Sequence, residues 1–400
     1  MRIFRFQLQS QMLFLLFFLN IIRSNSLDVS ILLSKNDAEL NKKRYEFQHV
    51  TKIYDLDDPS VLYRPQDKEA IMILTFNNSD WYLNGKKLKI KRIGLINEED
   101  DCCIKFENFL YQGILKIQPA NNSIYVTNTL DIEKYVAAVV AREFYSVWQF
   151  DSLKVAAIII RTYAMHKILK TNQQSLYNLK SSISDQHYSG YLYNERILSA
   201  VQQTKGQIIT WNKKPIAAMY HVCCGGVIPE KCVGFNFDKF PYLKRKKKCN
   251  GCQSYKRYEW QLEKSHDIFC ESLSEFLNKK IVKIKKILNI FHGKSGTVRR
   301  VLLEIETLKN KKMPHIIQVS LTNKQIRKIL NLQLNIHSAF FKLHFDQDYN
   351  LKIVGKGNGH HMGLCQIGMN EYIKNGSSIE EIIKFYYPET KISYLQEIIV

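Results

Sequence analysis

DIEKYVAAVVAREFYSVWQFDSLKVAAIIIRTYAMHKI, residues 131–168, carries two helical patterns on either side of a short connector from Tyr145 to Phe150. In the first, Ile132, Val136, Val139 and Glu143 recur at steps of four and three, so they share one helix face. Tyr135 and Val140 widen that apolar stripe. In the second, Leu153, Ala157, Ile160 and Ala164 form the stripe, with Arg161 at its margin. A carboxylate at the end of a hydrophobic face tends to stay protonated, as a general acid requires near neutral pH. The same spacing also allows Glu143 to be an ordinary last-turn residue or the partner of Arg161 in a structural ion pair.

Working outward, residues 27–130 read as a strand-rich region, with apolar runs at Ile71 to Phe76 and Ile114 to Ile117. Asn84-Gly85, between Trp81-Tyr82-Leu83 and Leu88-Lys89-Ile90, predicts a tight hairpin, and Pro119-Ala120-Asn121-Asn122 another turn. Asn128, Thr129 or Asp131 is available to cap the first helix. Downstream, Pro215 to His221 reads as a buried strand ending in His, and Lys244 to Lys248 as a solvated basic loop. Gly376 ends a helix, and Ser378 with Glu381 predicts a capping box for 379–386. The fold class is mixed α/β (α+β). Its parts are a leader over 1–26, the strand-rich region, and a catalytic region over 131–400.

With 400 residues, the chain is long enough to bury a large core. Its formal charge of +21 favours anionic partners, but the lysines are dispersed among Ile and Asn, as in IVKIKKILNI at 281–290. Helix-turn-helix, RNP and zinc-finger spacings are absent, so nucleic acid is not the expected partner. Arg2 and Arg5, the apolar run Met12 to Ile22 and Ser24-Asn25-Ser26 read as a secretory signal. The run is short for a spanning helix. Export to the periplasm or cell envelope is therefore expected, with peripheral membrane attachment if the signal stays uncleaved.

Nine cysteines, an odd number, leave at least one unpaired or metal-bound. His221, Cys223, Cys224 and Cys232, followed by the Cys249-Asn250-Gly251-Cys252 clamp, offer the soft and nitrogen donors that structural zinc takes in tetrahedral array. Adjacent cysteines diverge, so one of Cys223 and Cys224 ligates. The expected set is His221, Cys224, Cys249 and Cys252, with Cys232 in place of His221 as the variant and disulfides as the alternative.

In register, several blocks resemble the SpoIID/LytB domain family of bacterial cell-wall proteins, over roughly residues 70–395. They are Tyr111-Gln112-Gly113; Glu143 with Trp148 and Arg161-Thr162-Tyr163; Gln186-His187-Tyr188-Ser189-Gly190; Cys223-Cys224-Gly225-Gly226 with Pro241-Tyr242-Leu243; the glycine-rich turn from Gly355 to Gly368; and Phe385-Tyr386-Tyr387-Pro388. The chain departs from the family pattern at His361, Cys365 and Met369, at Thr297 in the Ser-Gly hairpin, and where Phe235 stands near a usual Trp.

The resemblance implies a peptidoglycan lytic transglycosylase that cuts between N-acetylmuramic acid and N-acetylglucosamine. The muramic C6 hydroxyl attacks the anomeric carbon and leaves a 1,6-anhydro end. One carboxyl group serves as acid and then as base, in contrast to the carboxylate pair of ordinary glycosidases. Glu143 is the expected acid, Glu133 the second choice and Arg161 its partner in the catalytic set. Tyr163, Gln186, Tyr188, His360, Gln366 and Tyr386 are the expected sugar contacts. Expected partners are glycan strands and an amidase or division-complex protein. The alternatives are a non-catalytic amidase enhancer that binds the wall, and a zinc-dependent wall hydrolase.

Overall fold

The computed structural model describes residues 27–398 except 38–42, 66, 68–70, 100–102, 183, 230–235, 293–297, 310–312 and 332–335. The leader, Cys232, Phe235 and Thr297 therefore lie outside the described residues. The chain forms two compact units. The first runs up to Ala217 and takes back the C-terminal segment from Ile392, and the second is Ala218–Lys391. The sequence boundary at 130/131 marks where strands give way to helices; the compact units part at 217/218.

In the first unit a seven-stranded sheet runs in the order Leu179–Lys180, Asp28–Asp37, Ser123–Asp131, Ile114–Ala120, Ile93–Ile96, Lys52–Asp55, Leu62–Tyr63. A six-stranded sheet carries the hairpin Asp80–Leu83/Lys86–Lys87, with Leu83 opposite Lys86. Asn84 and Gly85 take φ of 47° and 84°, the left-handed pair that a two-residue hairpin turn needs. Asn121 and Asn122 do the same (48° and 56°) between the strands that pair Ala120 with Ser123.

The second of those strands runs directly into helix α1 (Ile132–Glu143), followed by α2 (Phe150–Lys170) and α3 (Glu195–Gln203). Asp131 caps α1, its Oδ1 accepting the N–H of Glu133 and of Lys134. The stripe read for α2 is too narrow. Residues 155–162 are all buried, because α1, α3 and the strand Gln207–Trp211 pack around it.

In the second unit, helices α4 (His266–Leu277) and α5 (Asn323–Asn331) share a hydrophobic core with two three-stranded sheets. Tyr220–His221 pairs in parallel with Leu364–Cys365, which leads into α6 (Gln366–Lys374). The stretch Pro215 to His221 is not one strand: it breaks into Lys214–Pro215 and Tyr220–His221. Helix α7 (Ile379–Tyr386) starts with the capping box of Ser378 and Glu381. No helix among the described residues is long and apolar enough to cross a membrane.

Candidate functional site

The helical pair in the first unit presents two carboxylates with different surroundings. Glu133, in the first turn of α1, closes on the guanidinium of Arg161 in α2. Arg161 Nε donates to Oε1 at 2.9 Å, and Nη2 donates to Oε2 at 2.5 Å. The Arg161 side chain is 0% exposed and that of Glu133 is 17% exposed. Arg161 Nη1 also donates to the Gln207 carbonyl at 3.0 Å, and Glu133 Oε1 accepts the Gly206 N–H at 3.2 Å. These bonds join α1, α2 and the start of the Gln207–Trp211 strand in a buried ionic knot. Arg161 thus pairs with Glu133, not with Glu143 as the spacing also allowed, because residue 133 lies beside α2 at the buried end of α1. The guanidinium at the centre of this knot is withdrawn from solvent.

Glu143 ends α1 at a half-buried position, and its Oε1 accepts the backbone N–H of His187 at 2.8 Å. The loop 186–190 accounts for that donor. Gln186 and Tyr188 turn inward while His187 stays exposed. Tyr135 Oη donates to Gln186 Oε1 at 2.9 Å, and Tyr188 Oη donates to Asn128 Oδ1 at 2.5 Å. Gly190 closes the loop at φ 70°, where a Cβ would lie 2.2 Å from the Leu110 carbonyl, so only glycine fits. Two buried anchors and a glycine therefore hold one N–H against the carboxylate. Beyond Glu143 the connector is solvent-facing, with Tyr145 65% and Val147 82% exposed and Tyr145 packed on Trp148 at 5.3 Å. The connector thus presents exposed aromatic and apolar side chains just after Glu143 in the chain. Tyr145 and Val147 were missed in the sequence, although an apolar connector between two helices is itself the signal.

The six expected sugar contacts do not form one group. Tyr163, Gln186 and Tyr188 belong to the first unit; His360, Gln366 and Tyr386 belong to the second. Tyr163 is half-buried and donates to Asp185, while burial first and then Asp185 raise its hydroxyl pKa and keep it neutral. Gln186, Tyr188, Gln366 and Tyr386 are buried and so are withdrawn from ring stacking. The first two serve the loop just described. Tyr386 stands by Cys249, its Oη 3.1 Å from Sγ. His360 is exposed, with Nδ1 accepting the Met362 N–H.

In the second unit the Sγ atoms of Cys224, Cys249, Cys252 and Cys365 lie within 4.8 Å of one another, all buried. The fourth member is Cys365, not His221. His221 is not part of that group, and its Nδ1 bonds the Met362 carbonyl at 3.0 Å. Cys365 arrives through the parallel pairing of its strand with Tyr220–His221, a contact across more than a hundred residues that spacing could not reveal. The six buried cysteines among the described residues are free thiols, and the Cys224–Cys252 separation of 3.5 Å is well beyond a disulfide bond. The backbone N–H groups of Cys224 and Gly368 donate to Cys365 Sγ, both at 3.3 Å. Neighbouring thiols donate to Cys252 and pull its pKa far down, while burial pushes Cys365 up. Four buried sulfurs this close together could hold a metal ion.

The family model "Stage II sporulation protein" matches residues 120–211. The chain is 25% identical over 301 residues to the Stage II sporulation protein D of Bacillus subtilis, covering 70% of this chain and 80% of that protein. These matches support a SpoIID/LytB family for the chain. Another relative, an uncharacterized protein of Brachyspira hyodysenteriae, is 26% identical over 80% of this chain and 83% of its own length. The Amidase enhancer of Bacillus subtilis is 25% identical over 64% of this chain and 40% of its own length. The residues matched to the family model hold Glu133, Glu143, Arg161 and the loop 186–190. The four-cysteine cluster lies outside them. The SpoIID match and the amidase-enhancer relative support a cell-wall related role.

Proposed function

We propose that the chain is an exported lytic transglycosylase of the cell envelope, cutting peptidoglycan glycan strands with Glu143 as acid and then base. The observation that carries this reading is the placement of Glu143 at the half-buried end of α1, where its Oε1 accepts the His187 N–H at 2.8 Å and the exposed Tyr145 follows two residues along the chain. Glu133 is held by buried Arg161, and Asp185 by Lys167 and Tyr163.

A glycan laid on Tyr145 and Trp148 brings a glycosidic oxygen within reach of one carboxyl group. Glu143 gives its proton to the leaving oxygen as the bond to the anomeric carbon breaks. The carboxylate so formed accepts the proton of the muramic C6 hydroxyl as that oxygen closes the 1,6-anhydro ring. The donated proton is restored, and no water enters. Such proton transfers contribute roughly 10²–10⁴-fold.

The test is a mass analysis of peptide-stripped glycan strands digested by wild type and by Glu143→Gln. Anhydro-muramic ends from wild type alone support the reading. Equal products from both remove Glu143 as the acid. A second reading, a wall-binding amidase enhancer, is favoured by the relative of that name. It predicts bound glycan with no anhydro ends from either protein and a faster amidase in its presence.

The same proposal assigns a structural zinc to Cys224, Cys249, Cys252 and Cys365. The ion would supply a crosslink between the 249–252 turn, the 224 loop and the start of α6. It has no step in the reaction.

A further inference from the structure

The basic run Lys244 to Lys248, expected to be a solvated loop, is anchored. Arg245 is buried at 1% exposure. Its Nη2 donates to the Val227 carbonyl at 3.0 Å and its Nη1 to the Lys247 carbonyl. The guanidinium also lies 5.4 Å from the Phe385 ring centroid and 5.7 Å from that of Tyr386, both in α7. The Nε of Arg245 is buried without a hydrogen-bond partner among the described residues. One guanidinium thus fixes the backbone of the run against the end of α7 and preorganises the charges beside it.

Between that loop and the end of α7 is a cavity of about 570 Å³, lined by Lys244, Arg245, Lys246, Lys247, Lys384 and Phe385. Two carboxylates, Glu381 and Glu389, also line it, so cations outnumber acids five to two. Glu381 is already committed to the α7 capping box. Lys246, Lys247 and Lys384 are exposed, and none forms an ion pair with the described residues. Pro241 and Pro388 add apolar wall beside Phe385. Cations alternating with apolar wall suit a ligand that carries both carboxylates and hydrocarbon. A bare inorganic anion leaves the apolar surface unused. The volume matches a cleft for a small molecule or a few residues of chain.

We propose that this cavity binds a short peptide bearing two or more free carboxylates. The carboxylates meet Lys246, Lys247 and Lys384, and the aliphatic parts lie on Phe385 and the two prolines. This goes beyond the glycan reading and does not depend on it.

Calorimetric titration of the full chain with triglutamate, triglutamine and inorganic phosphate tests it. Triglutamate is expected to bind, more weakly in high salt, and triglutamine to give no binding heat. Lys246→Glu and Lys384→Glu, both at exposed positions that leave the fold intact, are each expected to weaken triglutamate by roughly fivefold. The proposal is overturned if triglutamate does not bind, if it binds both variants as it binds wild type, or if phosphate competes equally well. The glycan digest reads a different unit and a different ligand, so failure of either experiment leaves the other standing.

Discussion

Replacing Glu133 by Ala should unfold much of what holds the helical pair together, while replacing Glu143 by Gln should leave it standing. In Glu133→Ala the Arg161 guanidinium stays buried at 0% exposure but loses both carboxylate oxygens. Removing one partner of a buried pair costs about 3–5 kcal/mol. The Glu133 side chain keeps 17% of its surface in water, which admits some solvent to the orphaned cation and favours the lower end, about 3 kcal/mol. Gly206 also loses the acceptor of its N–H. At about 2–4 °C per kcal/mol for a unit of this size, the melting temperature falls by roughly 6–12 °C. Glu143→Gln keeps the shape and an oxygen for the His187 N–H, so its cost should stay within about 0.5 kcal/mol. Urea unfolding and calorimetry of the two variants beside wild type make the comparison. Glu133→Ala melting like wild type but lacking anhydro products would refute the reasoning. In that case Glu133, not Glu143, would be the acid.

Three further outcomes are expected. Purified protein should carry one zinc per chain, lost with a lower melting temperature in Cys365→Ser and on chelation but retained in His221→Ala; the reverse pattern would restore the ligand set first read from the sequence. Burial, followed by Lys170 and Lys167, lowers the His166 pKa below its ordinary 6.5. Below that pH the unfolded chain takes up a proton that the folded chain resists, so stability falls as pH drops from 6.5 to the lower folded value. His166→Gln should flatten part of that slope in urea titrations at neutral and acid pH, and an unchanged slope would contradict the assignment. Finally, Gly363 has φ 68°, and a Cβ there would lie 1.9 Å from the Met219 carbonyl, whereas Gly376, at φ 91°, faces open space. Gly363→Ala should cost clearly more than the roughly 1–2 kcal/mol of left-handed backbone alone, and Gly376→Ala about that amount. Equal melting temperatures for the two would show that the Met219 contact yields.

The sequence by itself determined the local elements. The two-residue turn at Asn84-Gly85 and the capping box at Ser378 and Glu381 depend only on neighbours along the chain and formed as read, and of the three candidate caps Asn128, Thr129 and Asp131 the last is the one used. The placement of Glu143 at the end of the first helix was legible for the same reason. Partner choice across the chain was decided by tertiary structure. Arg161 had two carboxylates within plausible reach, and only the packing of α1 on α2 selected Glu133. Gln186 and Tyr188 were expected as sugar contacts because the 186–190 loop resembles a family motif, and a motif does not say which of its side chains turn into the core. Cys365 joined the cluster, and His221 left it, through one parallel strand pairing between residues 220–221 and 364–365. Residues 244–247 of the basic run became a cavity wall, with Arg245 on aromatic rings in a helix about 140 residues away. Local periodicity records which side chains share a face; only the folded chain decides what that face meets.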